Sequence, residues 1–315
     1  MNISFSMPLS SAWMRMKKAL FQPFDLNIWL RLGFTAWLAG LTDCHGGGGG
    51  RGSDKGKPDW DEFFEFPDIA WNWLQSHPFW FNMIILGIVL LIILLTIIIW
   101  VSSRGKFMFL HNVAKGKNDI SYPWSEYRKE GNSLFVWRFF FRWFAYAIII
   151  LLLVYAFFAS KEMYYGDFPD VLMFWRISGL IFLFFTTLVM FGYVSLFLND
   201  FVIPLMFRQR IGIIQAWIKF LPLFGRHFFT FVIYGLFVSG LRIAVAICVL
   251  FLCLVTCCIG LLLLAIPYIG SVMLLPVSYT FRAYSIEFLA QFGDEFNVFP
   301  VPEFLADKTL SSKQA

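Results

Sequence analysis

The sequence predicts an all-α fold, a polytopic transmembrane helical bundle with about six spans and basic amphipathic helices at the membrane interface. Three observations predict this class. Of the 315 residues, 59% are hydrophobic and 14% are charged, whereas a soluble domain carries about 25% charged residues. Uncharged runs long enough to cross a bilayer recur along the chain. Lysine and arginine collect in alternate connections between those runs.

The clearest predicted span covers residues 79–103. Residues 82–103 carry no charge. Trp80 and Trp100 are twenty helical steps apart, a distance of about 30 Å that matches the hydrocarbon core of a bilayer. Tryptophan at both edges is typical of the two membrane interfaces, and Arg104 follows at once as a stop signal. This stretch therefore predicts a complete transmembrane helix.

Similar reasoning predicts five more spans, at residues 26–41, 136–160, 174–198, 228–256 and 261–283. The first of these is short, and Arg31 lies one turn inside it, where it can extend its charge towards the headgroups. That segment either spans the membrane or lies in the interface. The last two come from one apolar stretch that a single helix would extend over about 80 Å. We therefore expect a turn between Thr256 and Gly270.

The connections between spans also have a predicted organisation. Residues 1–25 and 207–226 combine apolar and basic sides, which favours the interface of a membrane that contains anionic lipid. Residues 43–78 are Gly-rich and then acidic and aromatic, and we predict an extracytoplasmic loop with a short interfacial helix. The glycine run does not match a phosphate-binding loop because no strand precedes it. Residues 1–293 are thus predicted to be one transmembrane domain, followed by a polar tail at 294–315.

The distribution of positive charge predicts the orientation. If the six spans alternate sides, 19 of the 25 lysines and arginines lie on the side of the two termini, and five lie on the other side. Cytoplasmic loops carry the excess of Lys and Arg. We therefore predict the cytoplasmic (inner) membrane of a prokaryote, with both termini in the cytoplasm. The predicted partners are the lipid bilayer and its anionic phospholipid headgroups, and a membrane-protein partner or a second copy of the chain stays open.

Several functional classes are disfavoured. Nucleic-acid binding is excluded because no soluble fold presents a cluster of basic residues. The four histidines are scattered over both predicted sides, so we predict no metal site and no cofactor. Four of the five cysteines lie in one apolar run, where they are typical small packing residues, although a soft-metal pair of Cys253 and Cys257 stays open. No Ser-His-Asp, paired-carboxylate or Cys-His arrangement has its partners on one side, so we expect no catalysis.

Arg242 is the first candidate site residue. It is the one charge between residues 228 and 281, and a helix that begins after His227 places it about 22 Å along, near the middle of the membrane. A charge there costs at least about 2.5–3.5 kcal/mol. It therefore either contacts an anion or headgroup in a wet cavity, pairs with backbone carbonyls or an acid of another helix, or lies at the interface if the helix begins later.

Five further charged residues are candidates for substrate or lipid binding. Asp200 lies at the end of a span, with Pro204 expected to break the helix beyond it. We expect it to cap the helix or pair with Arg208 or Arg210, and proton or cation coupling stays open. Arg138 and Arg142 share one helix face at the start of a span, where we expect them to anchor to lipid phosphate.

Five stretches stand out within residues 13–293: RLGFTAWLAGL at 31–41, RGKFMFLHNV at 104–113, GNSLF at 131–135, NDFVIPLMF at 199–207 and FRAYSIEFLA at 281–290. Together they resemble a family of uncharacterised prokaryotic multi-pass membrane proteins, similar in style to the membrane domain of some glycerophosphodiester phosphodiesterases. The resemblance implies six helices with interfacial elbows. It implies no activity, because the catalytic barrel of those phosphodiesterases has no counterpart in this chain.

The sequence thus favours two functions of different kinds. The first is a non-enzymatic integral membrane protein that engages lipids or a membrane partner. The second is a transporter or lipid-handling protein with an intramembrane anion site at Arg242. The proline- and glycine-interrupted segment near the C-terminal end of the apolar stretch supports the second function, because interrupted helices form the binding sites of many transporters.

Overall fold

The computed structural model describes residues 3–43, 60–166, 170–256 and 259–299. The glycine run of the predicted 43–78 loop, Cys257 and the tail beyond residue 299 lie outside the described residues. Across the described ranges the chain is helical without strands, which confirms the all-α class. The helices are α1 Ser6–Phe21, α2 Leu26–Gly40, α3 Trp60–Ser76, α4 Pro78–Lys115, α5 Ser121–Glu126, α6 Arg128–Tyr165, α7 Asp170–Phe197, α8 Ile203–Gln209, α9 Ile213–Arg226, α10 Phe228–Val255, α11 Ile259–Ala265, α12 Pro267–Met273 and α13 Leu275–Ala290.

Four helical stretches in the described part of the chain are long and apolar enough to cross a membrane. They are Pro78–Lys115, Arg128–Tyr165, Val171–Gln209 and Phe228–Val255. They correspond to the predicted spans at 79–103, 136–160, 174–198 and 228–256. By length and composition, these helices are those of a membrane protein.

The other two predicted spans are not confirmed. Helix α2 has 15 residues, and such a helix is about 22 Å long, shorter than the hydrocarbon core of about 30 Å. The predicted span at 261–283 is divided among α11, α12 and α13. Proline stands in the first turn of both α12 and α13. Because proline lacks an N–H and cannot continue a preceding helix, it separates these short helices.

The predicted domain at 1–293 contains two compact units. Unit 1 consists of Met1–Thr42, Trp100–Arg138 and Gly192–Ala315, and unit 2 consists of Asp43–Ile99 and Phe139–Phe191. In unit 2, Phe64 of α3 is buried against Phe157 and Tyr164 of α6. The Tyr165 hydroxyl donates a hydrogen bond of 3.0 Å to Asp61 Oδ1. These contacts fix the acidic, aromatic helix α3 on its own unit.

The core of unit 1 is built largely from aromatic side chains. The fully buried Phe201 ring stacks on Phe220 at 5.5 Å and meets Phe231 edge-on at 5.0 Å. Helix α2 also approaches α4 closely, since a Cβ atom on Gly105 would lie 2.7 Å from the carbonyl carbon of Leu38. The glycine therefore lets two backbones touch where any side chain would separate them.

A π-helical turn at Leu198–Val202 joins α7 to α8. The Ile203 N–H donates to the Leu198 carbonyl, five residues back. Pro204 explains the turn, because in an α-helix its ring would clash with the carbonyl of Asp200 and it has no N–H to donate. The wider turn accommodates the proline. The prediction that Pro204 breaks the helix is therefore wrong, and the helix continues to Gln209.

Candidate functional site

The π-helical turn carries Asp200 into the interior of unit 1. The residue is 8% exposed. The Tyr234 hydroxyl of α10 donates a hydrogen bond of 3.2 Å to Asp200 Oδ2. The same oxygen lies 3.7 Å from Arg242 Nη2, two turns further along α10. Single π-helical turns are frequent at functional sites, and here the turn presents a carboxylate to two polar side chains of one neighbouring helix.

Arg242 is neither sealed in the core nor isolated. Its side chain is 49% exposed, and its guanidinium lies over the Phe281 ring at 5.7 Å from the centroid. The pairing with Asp200 is one of the arrangements that the sequence left open. About half of the Arg242 side chain is therefore not covered by other parts of the protein.

Two further cations act on the Asp200 carboxylate. The attraction is largest from Arg242, followed by Arg282 and Lys106. Arg282 Nη1 also donates a hydrogen bond of 2.6 Å to the Asn199 carbonyl in the π-helical turn. Lys106 is 2% exposed. Three cations of unit 1 therefore act on one buried carboxylate.

Two buried polar atoms beside this cluster have no hydrogen-bond partner among the described residues. They are the Tyr284 hydroxyl oxygen and Asn199 Oδ1. The Tyr284 ring stacks on Tyr234 with a centroid distance of 5.6 Å. A buried polar atom without a partner is costly. These atoms can therefore bond an additional polar group at the cluster.

The predicted pairing of Asp200 with Arg208 or Arg210 is wrong. Arg210 has a left-handed backbone, with φ of 55°, and its side chain turns away from Asp200. Its guanidinium lies 3.9 Å from the centroid of the Tyr127 ring. It pairs with Glu126 at 2.5 Å and with Glu130 at 3.4 Å. Arg208 is exposed at the end of α8.

Tyr127 lies beneath the Arg210 guanidinium. The residue is 3% exposed, and burial raises the pKa of its hydroxyl from 10 to about 12, although the positive charge of Arg210 acts in the opposite direction. This ion cluster joins the segment between α5 and α6 to the end of α8. It is a structural contact of unit 1, separate from Asp200.

Arg138 does not lie where the sequence predicts. It is 4% exposed, and it donates to Ser102 Oγ at 3.4 Å, to Ser103 Oγ at 3.3 Å and to Thr42 Oγ1. Its side chain is thus held by protein hydroxyls, which corrects the expectation that it anchors to lipid phosphate. Arg142 belongs to unit 2 and is partly exposed.

Sequence reasoning missed Lys106 and Arg282. Lys106 lies two residues beyond Arg104, where a basic residue is typical of the end of a span, and Arg282 lies in the stretch 281–290 without a distinctive pattern. Tertiary packing brings both residues close enough to act on the Asp200 carboxylate. Among the described residues no group of three His, Cys, Asp or Glu side chains could hold a metal ion. Cys253 is buried and Cys248 is exposed.

Comparison with known proteins gives one match. A family model described as "Family of unknown function (DUF7544)" matches residues 7–293. No curated protein and no solved structure matches the chain. Because the family match covers nearly the whole sequence, the chain belongs to this family of unknown function.

Proposed function

We propose that the protein is a non-enzymatic integral membrane protein that binds anionic lipid headgroups through two basic helices, α1 and α9. The single observation that carries this proposal is the pattern of exposure on α9. The helix has one apolar face in the core of unit 1 and a second apolar face outside it, beside exposed basic residues.

The two apolar faces of α9 are distinct. The buried face consists of Ile213, Ala216 and Phe220. The second face is 54–69% exposed and consists of Ile214, Ile218 and Leu221. Lys219 and Arg226 are exposed on the same helix. A helix with exposed apolar and basic residues favours the boundary between headgroups and acyl chains.

Helix α1 has a similar arrangement. Its buried side consists of Ala12, Met16 and Leu20. Its exposed side includes Met7, Trp13 and Met14 together with Lys17 and Lys18. Arg15 Nε pairs with Glu287 Oε1 of α13 at 2.5 Å. The ion pair and the buried side fix α1 on unit 1, which leaves the lysines and exposed apolar residues to face lipid.

This proposal includes a location and partners. In the six-span arrangement that the sequence predicts, the excess of Lys and Arg in alternate connections supports the cytoplasmic membrane of a prokaryote, with both termini in the cytoplasm. The anionic cytoplasmic leaflet attracts basic residues near the membrane, and each such residue contributes about 1 kcal/mol to binding. A membrane-protein partner or a second copy of the chain is compatible with the same helices.

The test uses purified full-length protein, native mass spectrometry, and titration with phosphatidylglycerol or phosphatidylcholine. Lys17→Gln/Lys18→Gln removes two of the proposed contacts. We expect this variant to lose about thirtyfold in phosphatidylglycerol affinity, from about 1 kcal/mol for each lysine, and to bind phosphatidylcholine unchanged. The matched control, Lys55→Gln/Lys57→Gln, removes the same charge from the predicted extracytoplasmic loop. Equal losses in the two double variants would contradict the proposal.

A second candidate function is anion transport or lipid handling at Arg242. The observation that favours it is the half-exposed Arg242 side chain beside Asp200, with Arg282 and Lys106 acting on the same carboxylate. Mass spectrometry of lipids and metabolites that co-purify tests it. One anionic species that accompanies the wild type and is lost from Arg242→Ala would support this function. Identical extracts from the two proteins would exclude such a stably bound ligand.

A further inference from the structure

Arg104, in the part of α4 that belongs to unit 1, lies in a pocket of aromatic side chains. The residue is 8% exposed. Its guanidinium carbon lies 4.5 Å from the Trp100 ring centroid and 5.0 Å from that of Trp124. The two indoles contact each other edge to face at 5.9 Å. Gly131 closes the pocket on the α6 side, since a Cβ there would lie 3.0 Å from Arg104 Cγ.

The polar contacts of Arg104 do not neutralise its charge. Nη2 donates a hydrogen bond of 3.1 Å to Asn132 Oδ1, which also accepts 3.3 Å from Trp100 Nε1. The Arg104 Nε atom is buried without a hydrogen-bond partner in the described structure. An amide oxygen carries only a partial charge, so the guanidinium keeps its full positive charge in a largely covered position.

A second cation acts on Arg104. Arg128, the exposed first residue of α6, acts on Arg104 by repulsion. None of the ion pairs formed by described acidic residues includes Arg104. A largely buried charge without a counter-charge is unfavourable, and a second positive charge nearby increases the cost. An anion bound between Arg104 and Arg128 would supply the missing counter-charge and offset the repulsion between the two arginines.

Part of the Arg104 guanidinium is reachable from outside. Nη1 makes no hydrogen bond within the described residues and is not among the buried atoms without a partner. An incoming anion therefore meets Nη1 first, and Arg128 is itself an exposed residue. Arginine presents its N–H groups in a planar fork that matches phosphate oxygens, and arginine–phosphate hydrogen bonds are stronger than neutral ones.

We propose that Arg104 and Arg128 bind a phosphate group, supplied by the headgroup of an anionic phospholipid. Trp100 marks the end of the predicted span at 79–103, and tryptophan rings occupy the headgroup level of a membrane. The phosphate then contacts Nη1 of Arg104 and the guanidinium of Arg128, with the indoles as apolar walls. This inference rests on the proposed lipid binding and assigns one specific site to it.

The experiment is native mass spectrometry of full-length protein with a single phosphatidylglycerol molecule as the probe. We expect Arg128→Gln to weaken the tightest binding event about threefold to tenfold and Arg104→Gln to weaken it at least tenfold. Lys129→Gln removes a neighbouring exposed charge of α6 and should change this affinity less than twofold. Circular dichroism and size-exclusion chromatography show whether Arg104→Gln is folded, and Arg128→Gln tests the site through an exposed residue.

Inorganic phosphate distinguishes the two sources of the anion. If millimolar phosphate displaces the lipid from wild type but not from Arg128→Gln, the site recognises phosphate itself. If phosphate has no effect while both arginine variants bind lipid weakly, the site requires a lipid headgroup. The proposal is overturned if both arginine variants bind phosphatidylglycerol as tightly as Lys129→Gln. That result leaves the proposed function intact, because the Lys17→Gln/Lys18→Gln comparison reports separately on α1.

Discussion

Arg242 Nη2 lies 3.7 Å from Asp200 Oδ2, so that an arginine of α10 is paired with the π-helical turn between α7 and α8. The carboxylate is nearly buried and the arginine is half exposed. The two partners are therefore unequal, since the protein covers the aspartate more than the arginine. Removal of the arginine should therefore destabilise the protein chiefly because the Asp200 carboxylate stays buried without its cation.

The first prediction concerns this pair. Arg242→Ala removes the positive charge that faces the buried Asp200 carboxylate. We expect the free energy of unfolding to fall by about 1–2 kcal/mol. This is less than for a fully buried ion pair, because Arg242 is half exposed. Asp200→Asn in the same protein removes the stranded charge and should restore most of the loss. Thermal unfolding in detergent measures a double-mutant cycle. Additive effects of the two substitutions would show that the residues do not interact.

The second prediction concerns the hydroxyl of Tyr234. Tyr234→Phe keeps the ring that packs in the aromatic core but removes the hydrogen bond to Asp200. We expect the free energy of unfolding to fall by about 1–3 kcal/mol, because the buried Asp200 carboxylate loses a hydrogen-bond donor. The control is Tyr193→Phe in α7. It removes a hydroxyl that donates to the carbonyl of Val232, which lies on α10 like Tyr234. Its effect should be smaller, since that acceptor is uncharged.

The third prediction concerns Gly105. Gly105→Ala places a methyl group 2.7 Å from the Leu38 backbone, and the separation of the two helices should cost about 1–3 kcal/mol. Gly87→Ala lies in the same helix, where no atom other than the adjacent residues and the helix's own backbone is within 4 Å of the added carbon. That control should be neutral or stabilising by up to about 1 kcal/mol, because alanine favours a helix over glycine. Equal effects in thermal unfolding would contradict the close approach.

The fourth prediction concerns alkaline pH. The Tyr127 pKa is about 12 in the folded protein and near 10 when unfolded. The folded state therefore holds a proton that the unfolded state loses, and stability should fall as pH rises from 10 towards 12. A difference of two pKa units between the folded and unfolded states means that Tyr127 contributes about 2–3 kcal/mol to the free energy of unfolding below pH 10. Tyr127→Phe should show a flatter dependence of unfolding free energy on pH than the wild type. Parallel curves would show that Tyr127 titrates as it does in the unfolded chain.

The predictable parts of the fold rest on local pattern. Uncharged runs such as residues 82–103 indicate long helices, because a helix satisfies its own backbone in lipid and a barrel strand needs only about half that length. The pattern failed at 261–283, where hydropathy suggested one span and the prolines of α12 and α13 divide it. Hydropathy measures composition, whereas a helix end depends on single residues that lack an N–H.

The site was harder to predict than the helices. Arg242 and Asp200 stood out because each is a charge in an apolar context, and this signal is local. Their pairing joins residues 42 positions apart, and nothing in the helical period specifies it. Arg138 illustrates the opposite error, since its position near a span end suggested lipid contact, whereas Thr42 and the serines of α4 enclose it. The resemblance to the membrane domain of glycerophosphodiester phosphodiesterases stays a prediction.

The π-helical turn at Leu198–Val202 has a consequence for the evolution of the family. A π turn is equivalent to one residue inserted into an α-helix. Loss of one residue here, together with replacement of Pro204, would restore regular winding while the flanking faces of α7 and α8 keep their orientation. A relative with such a deletion should therefore retain the membrane-crossing helix yet lose the inward presentation of an acid at position 200. Selection can thus vary the chemistry of this position without rebuilding the fold around it.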